Sequence, residues 1–146
     1  QRNKQYRLIV EFALETGMRR SEILNLEWRD TLSEYVVIKD SKSGHSRSIP
    51  LSKKARGLMM DTLFEHSSTR IFNVTPNSVR LAWERACTKA GITDLRFHDL
   101  RHEAISRFLE KGLGIAEVAT ISGHRDYKTL QKYAHIETGR ILAKLN

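Results

Sequence analysis

With 146 residues, 40% of them hydrophobic, the chain is long enough for one domain with a real core and too apolar for a disordered tail. Its formal net charge of +8 suits a polyanionic partner, because each phosphate neutralised by Lys or Arg releases counterions. The single cysteine, Cys87, excludes an internal disulfide and a thiolate metal cluster and points to a reducing setting, and neither a long apolar run nor a signal-peptide pattern is present.

The elements follow in chain order. Leu8, Ile9, Phe12 and Ala13 keep helical spacing, which predicts an opening helix ending near Thr16-Gly17. Ser21 is the expected cap of a second helix carrying Ile23, Leu24 and Leu26. The β-branched run Tyr35–Lys39 predicts a strand, Ser41–Gly44 a turn, and Arg47–Leu51 a return strand. Pro50 lacks a donor, so the return strand lies at an edge or ends there. Ser52 caps a helix with Ala55, Leu58, Met59, Thr62 and Leu63 on one face. His66–Thr75 is a loop, and Pro76 opens a helix carrying Val79, Ala82, Trp83 and Ala86 that Gly91 closes. Leu100, Ala104, Ile105, Phe108 and Leu109 mark a further helix closed by Gly112, and Ile115, Val118 and Ala119 a short one ending at Gly123. Asp126 caps one more, bearing Leu130 and Tyr133, and Ile141, Leu142 and Leu145 form a last apolar stripe. The sum is one domain over residues 1–146, mainly α with a small antiparallel β-hairpin. The start at Gln1, within a helical pattern and without Met, reads as a piece of a longer protein.

Four clusters carry chemistry. In Thr16-Gly17-Met18-Arg19-Arg20-Ser21-Glu22, Arg19 stands just before a helix, where backbone donors and the positive helix end favour phosphate and Glu22 can orient the guanidinium. In His98-Asp99-Leu100-Arg101-His102, the spacing of three puts His98 and Arg101 on one helical face, both able to donate to phosphate oxygens. A rival reading makes His98 and His102 metal ligands, which would place Arg101 against the metal's charge. Lys42, in the hairpin turn, can reach a leaving oxygen and donate a proton; Lys39 is its neighbouring alternative. In the last cluster Gly123-His124 leads by nine positions to Tyr133, a phenol that becomes a nucleophile only where donors stabilise its oxyanion and the group it attacks.

In this order and spacing the motifs resemble the catalytic domain of the tyrosine recombinases, the phage integrase family, across nearly the whole chain. The resemblance implies that Arg19 and Arg101 clamp a scissile DNA phosphate, that His98 and His124 donate to it, and that Glu22 supports Arg19. It implies Lys42 as the acid that protonates the departing 5′ hydroxyl and Tyr133 as the nucleophile that forms a 3′-phosphotyrosyl link. It implies site-specific recombination or integration of double-stranded DNA without metal or other cofactor, by protomers paired as dimers or tetramers. It also implies an absent amino-terminal DNA-clamping domain and a cytoplasmic, bacterial or phage-encoded setting. The family often has Leu-Gly-His where this chain has Ser122-Gly123-His124, which changes a packing position and leaves His124 in place. The tail beyond the tyrosine often docks on a neighbouring protomer in such enzymes; here Ile141, Leu142 and Leu145 either do that or cover the domain's own core. Other readings of the same residues are a type IB topoisomerase, a DNA-binding module without catalysis and a metal nuclease built on His98 and His102.

Overall fold

A computed structural model describes residues 2–39, 46–63, 68–124 and 127–146. Helix α1 (Arg2–Thr16) is the central element, with Leu8, Ile9 and Phe12 fully buried. Gly17 ends it at φ +69, a left-handed turn that favours glycine, and lets the Phe108 ring approach a position where a Cβ would sit 3.3 Å away. Against α1 pack α3 (Lys53–Met60) and α5 (Asp99–Glu110). Helices α2 (Arg20–Asn25), α4 (Pro76–Ala90), α6 (Ile115–Ser122) and α7 (Ala134–Leu145) complete the helical set, with short 3-10 turns at Trp28–Asp30 and Tyr127–Tyr133.

The two strands, β1 (Tyr35–Lys39) and β2 (Ser46–Pro50), pair antiparallel. Val36 and Ile49 face each other across the ladder and are both fully buried. Alternation along β2 puts Arg47 on the same face as Ile49, aimed inward rather than to solvent. Pro50 is the last paired residue, where its missing donor costs nothing. The Ser41–Gly44 turn, with Lys42, lies outside the described residues.

Local signals placed several boundaries. Ser52 Oγ accepts from Ala55 N–H at 3.1 Å, and Thr75 caps α4 through Ser78 N–H at 3.1 Å, with Pro76 at the first helical position. Gly91 and Gly123 close α4 and α6 in left-handed conformations. Other expectations change. The cap of α2 is Arg19, not Ser21, which lies inside the helix; the Glu22 carboxylate takes the Arg19 backbone N–H at 2.9 Å and so does the capping from within. The described part of the 66–75 loop contributes to the core: Ile71 and Phe72 are fully buried. That segment pairs with the chain after α2, through Ile71 N–H to Leu26 O (3.1 Å) and Trp28 N–H to Thr69 O (3.0 Å). The helix expected to bear Leu130 and Tyr133 takes the tighter 3-10 form, Tyr127–Tyr133, and Tyr133 is its last residue before α7. Ile141, Leu142 and Leu145 are exposed, Leu145 to 78%, so they do not cover this domain's core.

Phe12 and Phe72 meet edge to face, ring centroids 5.5 Å apart, at the centre of the larger apolar cluster. Phe12→Ala should lower stability by about 3–5 kcal/mol in urea unfolding followed by circular dichroism. A loss under about 1 kcal/mol would show that this contact is not central.

Candidate active site

The site begins with a buried charge. Arg101, one turn into α5, is only 3% exposed. Its Nη1 donates to Gly17 O at 2.8 Å, and its Nη2 to Ser122 O at 2.6 Å. Those acceptors lie at the carboxyl ends of α1 and α6, where helix carbonyls lack intrahelical donors and the dipole is negative. Burial, helped by the Arg19 charge, pulls the Arg101 guanidinium down to about 10, still far enough above neutrality to keep it cationic.

A second arginine uses the same helix end. Arg47 donates through Nε to Ile121 O at 3.0 Å. Its Nη1 and Nη2 form a fork on Glu22, at 2.7 Å and 2.8 Å. Glu22 also lies 3.6 Å from Arg19 Nη1 while holding the Arg19 backbone. Burial raises the Glu22 carboxyl, but Arg47 and then Arg19 outweigh it, and the net shift is downward. Gly123 makes room for this arrangement. It sits at φ +80, and a Cβ there would lie 3.0 Å from Arg47 Cζ.

Arg19, His98 and Arg101 line one cleft, which Arg20, Arg80 and Arg96 also line, against the single carboxylate of Glu84. His98 is the exposed residue preceding α5, with its ring 5.1 Å from that of His102. Burial, His102, Arg101 and Arg19 lower its pKa. His124 follows the Gly123 turn, and burial followed by the fields of Arg101, Arg19, Lys132 and Arg47 lowers it to about 4. It is therefore a neutral imidazole at pH 7, in the same positive field as the cleft. Ser122 is more than a packing position: its Oγ lies 2.6 Å from His124 Nδ1. Among the described residues, no three His, Cys, Asp or Glu side chains are grouped to hold a metal ion.

Tyr133 is 7% exposed, and its Oη is buried without a hydrogen-bond partner among the described residues. Burial raises its pKa and Arg101 opposes the rise, so the phenol is protonated at neutral pH. Lys132 Nζ stands 5.3 Å from the ring centroid. The structure thus brings Arg19, His98 and Arg101 to one cleft, sets His124 in their field, holds Arg19 through Glu22, and keeps the Tyr133 hydroxyl covered. Lys42 is outside the described residues, and Lys39 lies with Arg19, Glu22 and Arg47 in a neighbouring depression. Sequence reading missed Arg47 and Lys132. The inward parity of Arg47 with Ile49 on β2 was the one available signal.

Two outcomes follow from this geometry. Gly123→Ala should cost about 1–2 kcal/mol from backbone strain alone, with displacement of Arg47 in addition; an unchanged urea midpoint would contradict the packing. His124 binds its proton less readily when folded than its ordinary 6.5. The stability linked to it is therefore complete above that value and lost as pH falls toward about 4, and His98 and His102 shift in the same direction. The melting temperature should decline over that window, and His124→Gln should flatten the decline. An equal slope in wild type and variant would refute the assignment.

Comparison with known proteins bears on the family and the fold. The phage integrase family model matches residues 1–140. A shufflon-specific DNA recombinase of Escherichia coli is 41% identical over 150 aligned positions, covering 100% of this chain and 38% of its own length. The chain thus spans well under half of that relative. The catalytic domain of bacteriophage HP1 integrase superposes with a TM-score of 0.73 at 27% identity, over 94% of this chain and 79% of that one. A lambda integrase dimer bound to a COC′ core site shares the fold with a TM-score of 0.75 at 21% identity, over 88% of this chain and 51% of the other. The buried arginine, the glutamate-held arginine before α2 and the histidine after the Gly123 turn therefore sit on a shared framework, and the chain belongs to the phage integrase family of tyrosine recombinases.

Proposed function

We propose that residues 1–146 form the strand-cleaving domain of a site-specific DNA recombinase that joins itself to DNA through Tyr133. The observation that carries this reading is the meeting of Arg19, His98 and Arg101 on one cleft with His124 in its field. Such a site suits a phosphodiester. Arg19 and Arg101 bind its non-bridging oxygens, and neutral His98 and His124 add donors without further charge. Tyr133 Oη attacks phosphorus and releases its proton to solvent water. The bond to the 5′ oxygen breaks, and that oxygen leaves protonated, the task assigned to Lys42. The 3′-phosphotyrosyl link keeps the phosphodiester's energy for rejoining, so neither metal nor nucleotide is needed. Glu22 positions Arg19 and touches no DNA in this scheme.

The covered Tyr133 hydroxyl is consistent with a resting arrangement. Among the described residues the buried hydroxyl has no hydrogen-bond partner, and donors at a bound phosphate would supply one. Its place at the joint between a 3-10 turn and α7 suits such a movement. Double-stranded DNA is the partner, favoured by the +8 charge and by the core-site DNA in the lambda integrase structure. The exposed Ile141, Leu142 and Leu145 on α7 would meet a second protomer on that DNA, in dimers or tetramers. An amino-terminal DNA-clamping domain would precede this one in the whole protein, in keeping with the share of the recombinase that the chain spans. No described helix is long and apolar enough to cross a membrane, and the protein would work in the cytoplasm of a bacterium on chromosomal or mobile-element DNA.

Tyr133→Phe should reduce covalent capture of a nicked suicide duplex about a thousandfold or more, with an unchanged circular dichroism spectrum. Continued trapping by the Phe variant would overturn the assignment.

A further inference from the structure

We propose that Ser122 is a positioning residue whose hydroxyl donates to His124 Nδ1 and holds the neutral imidazole as the Nε2–H tautomer. Nε2 is then the donor offered to an anion in the cleft. The inference rests on the recombinase reading only for the identity of that anion, a DNA phosphate.

The geometry limits where one proton can go. Ser122 Oγ carries a single hydrogen and has two acceptors in reach: His124 Nδ1 at 2.6 Å and Ala119 O at 3.5 Å. The same oxygen receives the His124 backbone N–H at 3.4 Å. At 2.6 Å the contact falls within the range of an O–H donor and below that of an N–H donor, which favours donation from Oγ to Nδ1. The opposite choice would have Oγ accept from both Nδ1–H and the backbone N–H, and send its own hydrogen to a carbonyl at the limit of bonding distance. Ser122 is 1% exposed, so bulk water does not compete for the hydroxyl. Its backbone is fixed independently, because its carbonyl takes the Arg101 Nη2 at 2.6 Å.

The tautomer has consequences because the ring is neutral. Arg101 from α5, Arg19 before α2, Lys132 from the last 3-10 turn and Arg47 from β2 all act with burial against protonation of His124. An imidazolium would donate from both nitrogens, whereas a neutral ring donates from one. With the proton on Nδ1, Nε2 would present a lone pair to the phosphate and repel it.

The test separates tautomer from chemistry. Nitrogen-15 NMR of the histidine ring in the 146-residue chain, with His124→Gln for assignment, should show His124 protonated at Nε2 only. In Ser122→Ala, which keeps the carbonyl that binds Arg101, both tautomers should appear. A wild-type ring protonated at Nδ1, or a Ser122→Ala spectrum identical to wild type, would overturn the inference. Ser122→Ala should also slow covalent capture of the nicked duplex about tenfold or more, and add no loss on a His124→Gln background. A further loss on that background would assign Ser122 a role apart from His124 and count against the inference. Wild-type chain that captures no DNA would count against the recombinase reading itself, and the ring spectra would still decide the tautomer.

Discussion

One buried guanidinium holds the site in place. Arg101 joins the carboxyl ends of α1 and α6 through Gly17 O and Ser122 O, and it does so from within α5. A lone charge with so little exposure would be costly. Here two helix termini, each the negative end of a dipole, accept its protons and have unmet carbonyls satisfied in return. Sequence positions 17, 101 and 122 thereby become neighbours. The cleft and the Gly123 turn are positioned by this contact.

The second support is a shared carboxylate. Glu22 holds the backbone of Arg19 and accepts the fork of Arg47, and Arg47 in turn reaches Ile121 O at the end of α6. Strand β2, helix α2 and helix α6 are therefore tied by the Glu22–Arg47 pair. One carboxylate against Arg19, Arg47 and Arg101 leaves a positive excess. Such an excess destabilises the empty site by mutual repulsion, and an anion relieves it. A site that is tightly hydrogen-bonded underneath and under-neutralised on top is preorganised for an anion.

Much of this could be read from the chain because the governing interactions are short in sequence. Ser52, Pro76, Gly91 and Gly123 act on residues within a turn, and they stand where they were expected. The candidate anion ligands were legible because each lies beside a motif of its own kind. Arg47 was not, because its partners are 25 and 74 positions away and nothing around Ser46–Pro50 announces them. Ile71 and Phe72 read as loop because their pairing partner is the chain after α2, a long-range bridge. The cap of α2 was misplaced because a carboxylate inside the helix did the work that Ser21 seemed suited for. The α7 stripe has helical spacing, and spacing alone does not say which molecule covers it.

The chemistry of the histidines follows from the same charge balance. Adding a cationic imidazolium beside Arg101 and Arg19 would increase the repulsion that already exists there, and burial works in the same direction, which is why His124 drops to about 4. A neutral ring escapes that repulsion and still has one N–H to give. The arrangement then divides labour by charge: two arginines supply attraction, and the histidines supply directed donors whose usefulness depends on which nitrogen holds the proton. That dependence makes a hydroxyl 2.6 Å from His124 Nδ1 a matter of mechanism as well as packing. The same balance bears on Tyr133, whose phenolate is favoured by Arg101 and opposed by burial. A covered phenol stays protonated and inert, and exposure to the arginines removes the opposing burial while keeping the attraction. In the proposed reaction, activation of the nucleophile and its arrival at a phosphate would then be a single event.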